Sequence, residues 1–430
     1  MTLTHQLARF AVTGDVSEEA MEILQLSFVD WMAVALAGSD EPVSHVVRKL
    51  AEVEAGAPLA NIIGASTKYP PRMAAMVNGT IGHALDYDDT HFAHIGHPSS
   101  VILPAVLAVA QSEGVSGKAM QEAALIGVEA SIRVGLWLGR THYQTGFHQT
   151  ATAGAIGAAL ALARLLGFSI EQTEQVLGLV STRASGLKSQ FGSMGKPFNA
   201  GLAASNAVEA ALLIRHGFHP NAAGLEAGQG FGETHSGEAN SAVALDGLGH
   251  QWLFSTVSHK FHACCHGLHA ALEAMRPIRG RAADIASIAV HTNPRWLKVC
   301  NIPSPTDGLE CKFSYRHVLA MATHNQDTAS IDSYTVASAN DPALTAFRDK
   351  VTVVGDDRVS ETATSILVRM NNGSEETLTH DLDAPIEVSE KRRRIAAKAS
   401  ALIGDVKAAQ LQTLIDDQAT PNEIASALAQ

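Results

Sequence analysis

Residues 82–98 read GHALDYDDTHFAHIGHP, from Gly82 to Pro98. Asp86, Asp88 and Asp89 sit here beside His83, His91, His94 and His97. Carboxylates and imidazoles together are the usual equipment of proton transfer or of metal binding. The segments on either side, Met73–His83 and Ser99–Glu113, are apolar and read as helices, so the stretch is a loop where helices meet solvent or a cleft. A surface loop carries three aspartates for no particular reason. One that adds four histidines and runs at once into Pro98, Ser99 and Ser100 asks for a function, and we take it as the centre of a catalytic site. Three readings compete. His91, His94 and His97 recur every three residues, which suggests a metal nest but fits no zinc spacing. Asp88 and Asp89 suit the capping of a turn through their own backbone, as ordinary solvated residues. Metal-free acid–base catalysis, with Asp86 one turn earlier and aimed into a cleft, is the reading carried forward.

Outward from the loop the chain is helical. Asp15 with Glu18 fits a capping box before the apolar run Ser17–Ala37, which Gly38 stops. Pro42 opens another helix ending near Gly56, and Ala60–Ile63 reads as a short strand broken by Tyr69, Pro70 and Pro71. Lys118–Leu138 reads as a buried helix ended by Gly139. Thr150–Leu166, rich in alanine and glycine, reads as a central helix touched on all sides. Ser169 and Gln172 form a second capping box, for a helix reaching about Ala184, and Phe198–His216 is closed by Gly217. The pattern changes after Lys260. Ile285–Thr292, Val351–Val354, Thr362–Met370 and Thr377–Leu382 have strand character, with a hairpin turn at Asn372-Gly373. Phe313–Thr323 reads as helix, Pro342 opens a short one, and the tail is helical from Val388. The fold class is therefore mainly α with a smaller α+β domain. The boundaries expected are 1–260 with 395–430 for the all-helical domain, and 261–394 for the smaller one. A small ligand is expected between two such domains.

Composition narrows the function. The 430 residues are 46% hydrophobic, 17% charged and only 5% aromatic, a globular composition whose core packs through small side chains. The net charge of −12 argues against a nucleic-acid partner, and an anionic substrate must be met by locally placed cations. Cys264, Cys265, Cys300 and Cys311 form no secreted framework and no Cys-x-x-Cys pair. The N-terminal residues lack a signal pattern. No apolar run approaches the ~20 residues of a membrane span. A soluble, cytoplasmic protein without membrane contact is expected. Lys391, Arg392, Arg393 and Arg394 read as a solvated helix face.

Four further stretches carry candidate chemistry. In GFHQT, His148 precedes a helix start, where a neutral imidazole donor or base and an anion are both favoured. In GSMGKPF, Lys196 occupies a glycine-rich turn without P-loop spacing and suits a carboxylate or phosphate clamp. SHKFHACCHGLH, from Ser258 to His269, offers a lysine with histidines beyond it for carboxylate binding, or a Cys/His zinc site, or plain packing of the cysteines. KFSYRH, residues 312–317, offers Arg316 either to a substrate carboxylate or to a surface salt bridge.

Taken in order, NGTIGHALDYDDTHFAHIGHPSS, GFHQTATAGAIGAA, FGSMGKPFNAG, the Lys260-x4-Cys265-x3-His269 spacing and KFS at 312–314 resemble the MmgE/PrpD family over nearly the whole chain. That family includes 2-methylcitrate dehydratase, cis-aconitate decarboxylase and iminodisuccinate epimerase. The resemblance implies a helical domain with an α+β lid, a homodimer, and no metal or other cofactor. It implies a small polycarboxylate substrate and carbanion chemistry beside a carboxylate. The catalytic residues it implies are Asp86, Thr90, His97 and His148, with Lys196 and Lys260 holding carboxylates. Cys265 stands where the decarboxylase carries a histidine and His317 where it carries a tyrosine. The lysine, cysteine and histidine spacing Lys260, Cys265 and His269 resembles the epimerase branch more, and Cys265, His269 and His317 are placed with the substrate-binding residues. Two other classes stay open: a metal-dependent hydrolase built on the Asp/His loop, and a polycarboxylate-binding protein without catalysis.

Overall fold

The computed structural model describes residues 2–429 and separates into two units, one of residues up to His259 together with those from Lys391 onward, the other Lys260–Glu390. The first unit is helical. Its N-terminal part contains α1 (Leu3–Thr13), α2 (Glu18–Ala37), α3 (Pro42–Glu54), a two-strand ribbon of β1 (Ala60–Asn61) and β2 (Lys68–Tyr69), and α4 (Pro71–Gly82). After the Asp/His loop come α5 (Ser99–Glu113), α6 (Gly117–Thr145), α7 (Gln149–Leu165), α8 (Ile170–Ser181) and α9 (Gly195–Arg215).

Small residues set how these helices pack. α9 packs on α4, α5 and α7, α5 packs on α4 and α7, and α7 is buried along nearly its whole length. Where α4 crosses α9, a Cβ on Gly79 would lie 2.9 Å from the Gly201 Cα, and one on Gly201 would collide with the Met76 carbonyl oxygen. Only glycine lets the two backbones approach so closely. This crossing brings the end of α4, and hence the Asp/His loop, beside the start of α9.

Several local expectations shift. The cap of α2 is Ser17, not Asp15; its hydroxyl accepts from the Ala20 amide. α6 continues past Gly139 to Thr145, with Gly139 in a left-handed kink at φ 71°. A side chain there would meet the Glu238 carboxylate. The reading of apolar runs also overlooked α2. Glu18–Asp40 is long and apolar enough to cross a membrane, with 72% of its most apolar window buried inside the protein. It is the core helix of the unit, and Asp30 in its middle is buried too.

The second unit holds a four-stranded sheet in the order β4-β3-β5-β6. Its strands are β3 (Ile285–Thr292), β4 (Val351–Gly355), β5 (Ala363–Met370) and β6 (Glu375–Asp381). β3 runs parallel to β4 and antiparallel to β5, and β5 pairs antiparallel with β6. The β5–β6 hairpin closes between Met370 and Ser374 at 2.9 Å, with Gly373 at φ 85° as its left-handed residue. It is a three-residue loop. Helix α10 (His269–Ala274) packs on β5 and β6, and α11 (Tyr315–Thr323) packs on α12 (Pro342–Arg348). Helices α13 (Val388–Ile403), α14 (Asp405–Asp416) and α15 (Pro421–Leu428) follow; α14 packs on α2 and α15 on α5. Lys391 and Lys398 of α13 are buried, 7% and 2% exposed, so the solvated-face reading fails for the first lysine of that basic run. Arg392 does face outward, pairing with Asp416 and Glu22.

Candidate active site

The loop begins where α4 ends at His83. Asp86 takes a left-handed backbone, φ 52°, and its amide donates to the His83 carbonyl at 3.2 Å. Aspartate tolerates that conformation better than most residues. The turn swings Tyr87 and Asp88 inward, where they are buried. His91 and Gly96 then pair across a tight turn, with Ile95 at φ 54°. That turn separates the histidines which looked equivalent in sequence. His91 donates from Nε2 to the Leu253 carbonyl at 2.9 Å, and its Nδ1 accepts from the His94 amide at 3.3 Å. Burial pushes His91 down to about 4 and His94 to about 3, so both are neutral structural imidazoles. The metal nest that the spacing of His91, His94 and His97 suggested is not what the described residues gather: His91 is tied to the Leu253 carbonyl, and His97 converges with His83, Asp86 and Asp88 instead.

His97 points the other way. Its amide is fixed by the Thr150 hydroxyl on the first turn of α7, at 3.1 Å. Its Nδ1 lies 3.2 Å from Asp88 Oδ2 and its Nε2 3.4 Å from Asp86 Oδ1. Asp88 also receives His83 Nδ1 at 3.0 Å on each oxygen. Burial alone would raise the Asp88 carboxyl, but the charges and hydrogen bonds of His83 and His97 outweigh it and hold the group well below the usual carboxylate range. Asp88 is thus an ionised carboxylate beneath His97, fixing its ring. Sequence reasoning gave Asp88 only a turn-capping role and gave His83 none. The signal was their five-residue spacing across the end of a helix.

Lys196 lies in the first turn of α9, which starts three residues earlier than its periodicity suggested. Its Nζ is 2.7 Å from Asp86 Oδ1, the same oxygen that faces His97. Asp86, Lys196 and His97 have side-chain exposures of 43%, 16% and 12%, while Asp88 and His83 have none. The first three form the accessible face and the other two its support.

His148 caps α7 and is buried against the His83 ring, centroids 5.8 Å apart, and edge-on to Phe191 at 4.9 Å. The Asn199 amide nitrogen lies 3.3 Å from both His148 Nδ1 and the Leu187 carbonyl. The carbonyl can only accept, so the amide nitrogen donates to both, and the ring proton sits on Nε2. Burial first, then the neighbouring charges of His83, Lys196 and His97, push His148 well below the usual imidazole range. It is a neutral donor at working pH. Thr90 lies at the same loop, its backbone bridged to Ser258 at 2.9 and 2.8 Å.

In the second unit, Lys260 and His269 are buried and Cys265 is half-buried. His269 donates from Nε2 to the Cys264 carbonyl at 3.3 Å. Burial, then His266, His262 and Lys260, hold it well below the ordinary imidazole value. Burial pushes the Cys264 and Cys300 thiols up, so neither is a poised nucleophile. His317 has its own partner in the same unit. It is buried on α11, its Nε2 3.2 Å from Ser338 Oγ, and burial with the Arg348 charge lowers it to about 4.

His83, Asp86, Asp88 and His97 present ligand atoms within 4.8 Å of one another, a set with the chemistry to hold a metal ion. The Lys196 ammonium already supplies a positive charge to Asp86.

Residues 5–244 match the model of the MmgE/PrpD N-terminal domain and residues 262–419 that of the MmgE/PrpD C-terminal domain. The chain belongs to the MmgE/PrpD family. It is 28% identical to cis-aconitate decarboxylase of Aspergillus terreus, covering 92% of this chain and 87% of the relative. It is 31% identical to the cis-aconitate decarboxylase-like protein oryM of Aspergillus oryzae, covering 67% and 62%. It is 25% identical to the mitochondrial 2-methylcitrate dehydratase of Yarrowia lipolytica, covering 80% and 70%. These MmgE/PrpD relatives are named as lyases, which supports an enzyme and leaves the bond it breaks open.

Proposed function

We propose that this MmgE/PrpD protein is a metal-independent lyase or isomerase that makes or protonates a carbanion beside a carboxylate of a small di- or tricarboxylic acid. The observation that carries the reading is the chain Lys196–Asp86–His97–Asp88, one charge-matched line from the accessible face to a buried carboxylate. Lys196 takes a substrate carboxylate, a task a mobile ammonium performs as a point charge. His97 exchanges the proton with carbon or with a leaving hydroxyl, its ring held by Asp88 as the carboxylate holds the histidine of a triad. His148, neutral and protonated on Nε2, donates to the oxygen on which negative charge develops. Lys260 is assigned a second substrate carboxylate, and Thr90 the positioning of one, on the family resemblance.

Within this class, the Lys260, Cys265 and His269 spacing favours an epimerase-type outcome, whereas the named relatives point to decarboxylation or dehydration. A metal-dependent reading rests on the four converging ligand atoms. One experiment separates all of these. The purified protein is incubated in deuterated water with citrate, 2-methylcitrate, cis-aconitate and iminodisuccinate, with and without a chelator, and followed by NMR. Deuterium uptake at a carbon next to a carboxylate is expected with at least one acid, undiminished by chelation and reduced by about 10²- to 10⁴-fold in His97→Ala. No exchange or conversion with any acid would discard the reading; loss on chelation, with stoichiometric metal in the native protein, would replace it by the metal-dependent one.

A further inference from the structure

Behind the loop lies a second set of charged groups that the proposed chemistry does not use. Lys398, on α13, is buried with its Nζ 2.6 Å from Asp30 Oδ1 of α2. The same ammonium donates to the Tyr87 carbonyl at 2.7 Å and sits 3.9 Å from the centroid of the Tyr87 ring. Lys391, seven residues earlier and so on the same helix face, is buried with its Nζ 3.4 Å from the Val257 carbonyl. Asp89 accepts from the Ser99 hydroxyl at 2.5 Å, and His259 meets Ser27 at 2.8 Å.

Burying an ion pair of this kind seldom adds stability over well-packed apolar residues. Its value lies in fixing one geometry. Tyr87 is the residue between Asp86 and Asp88, so one ammonium grips, through the Tyr87–Asp88 peptide and the Tyr87 ring, the segment that carries both carboxylates. A carboxylate, a carbonyl and an aromatic face hold that ammonium from three sides. The left-handed turn at Asp86, closed by its own amide on the His83 carbonyl, immediately precedes the gripped residue.

We propose that Lys398 is a positioning residue: by holding the Tyr87 carbonyl it aims Asp86 and Asp88 at His97, an inference that rests on the catalytic reading of that loop. The ligand it serves is the loop itself, and the effect reaches the substrate through the His97 ring.

The test compares Lys398→Met, Lys398→Arg and, as a control on the exposed side of α13, Arg392→Met. Two readouts are taken: the imidazole nitrogen shifts of His83 and His97 in histidine-labelled protein, and kcat and KM for whichever acid is turned over. Lys398→Met is expected to move both sets of imidazole shifts and to lower kcat by about 10- to 100-fold with KM within threefold, the scale of a small misalignment at a reacting group. Lys398→Arg restores most of both, and Arg392→Met leaves both unchanged. A folded Lys398→Met with wild-type imidazole shifts overturns the proposal, whatever its kcat. If it does not fold, Asp30→Asn, which loosens the same ammonium, is read in its place; failure of both to fold assigns Lys398 to stability and also overturns it. The imidazole readout needs no substrate. Moved shifts in a protein whose wild type turns over none of the acids would remove the catalytic reading and keep the positioning.

Discussion

At the residue scale the decisive group is Asp88, a buried carboxylate kept ionised by two imidazoles. Asp88→Asn keeps the shape and removes the charge that fixes His97. We expect kcat to fall by roughly 10²-fold or more with KM little changed, as when the orienting carboxylate of a triad is neutralised; equal kcat in steady-state assays would refute the role. Its neighbour Asp89 behaves oppositely. Burial pushes its carboxyl up to about 7, against the Ser99 hydrogen bond and with the Asp30 and Asp88 charges adding to the rise. An unfolded aspartate titrates near ~3.9, so between about 4 and about 7 the folded form holds a proton that the unfolded form has lost. Stability from this group is full at the acid end, falls as pH rises through that window, and levels off above it. Asp89→Asn should therefore gain stability relative to wild type from pH ~4 to ~7, by up to about 4 kcal/mol. Denaturant unfolding across that range checks it, and parallel profiles would contradict it. Sequence composition exposed Asp86, His97, His148 and Lys196 because charged and titratable residues are rare in an apolar setting. It ranked His91 and His94 beside His97, since nothing in a one-dimensional spacing says which imidazoles will be buried neutral and which will meet a carboxylate.

Among the elements, the ends were read well where a glycine or an alternating pattern marks them and poorly where function extends a helix past its apolar run. Ser99–Glu113 and Ile285–Thr292 have the expected ends, set by Gly114 and by the alternation of β3. α9 begins earlier than its apolar pattern because Gly195 and Lys196 join its first turn to serve the loop, not the core. α13 was misread for the opposite reason: Lys391 was hidden in a basic run, while its seven-residue partner Lys398 was the clue that one face goes inward. The α4–α9 crossing offers the element-level test. Gly201→Ala places a methyl against the Met76 carbonyl and the Thr80 hydroxyl, so the helices must separate. A loss of about 1–3 kcal/mol is expected, the usual cost of overpacking, measured by chemical denaturation. Because α4 carries the loop and α9 carries Lys196, kcat should fall with it; an unchanged midpoint would mean the crossing is looser than it looks.

Over the whole molecule, the helical bulk and the late mixed sheet were legible from the change in pattern after Lys260, because strands and helices bury side chains at different intervals. The family was legible because its motifs keep their order. What stayed hidden were partnerships between residues hundreds of positions apart, such as Tyr87 with Lys398 or Asp30 with Lys398. No local window contains both members. The first unit is assembled from residues up to His259 and from Lys391 onward, with the whole second unit encoded in between. A ribosome therefore delivers the reactive loop long before it delivers the lysine that grips it. Until translation passes residue 398, the nascent chain carries Asp30 without its counterion and the Tyr87 carbonyl without its donor, so this buried contact can be made only late in synthesis.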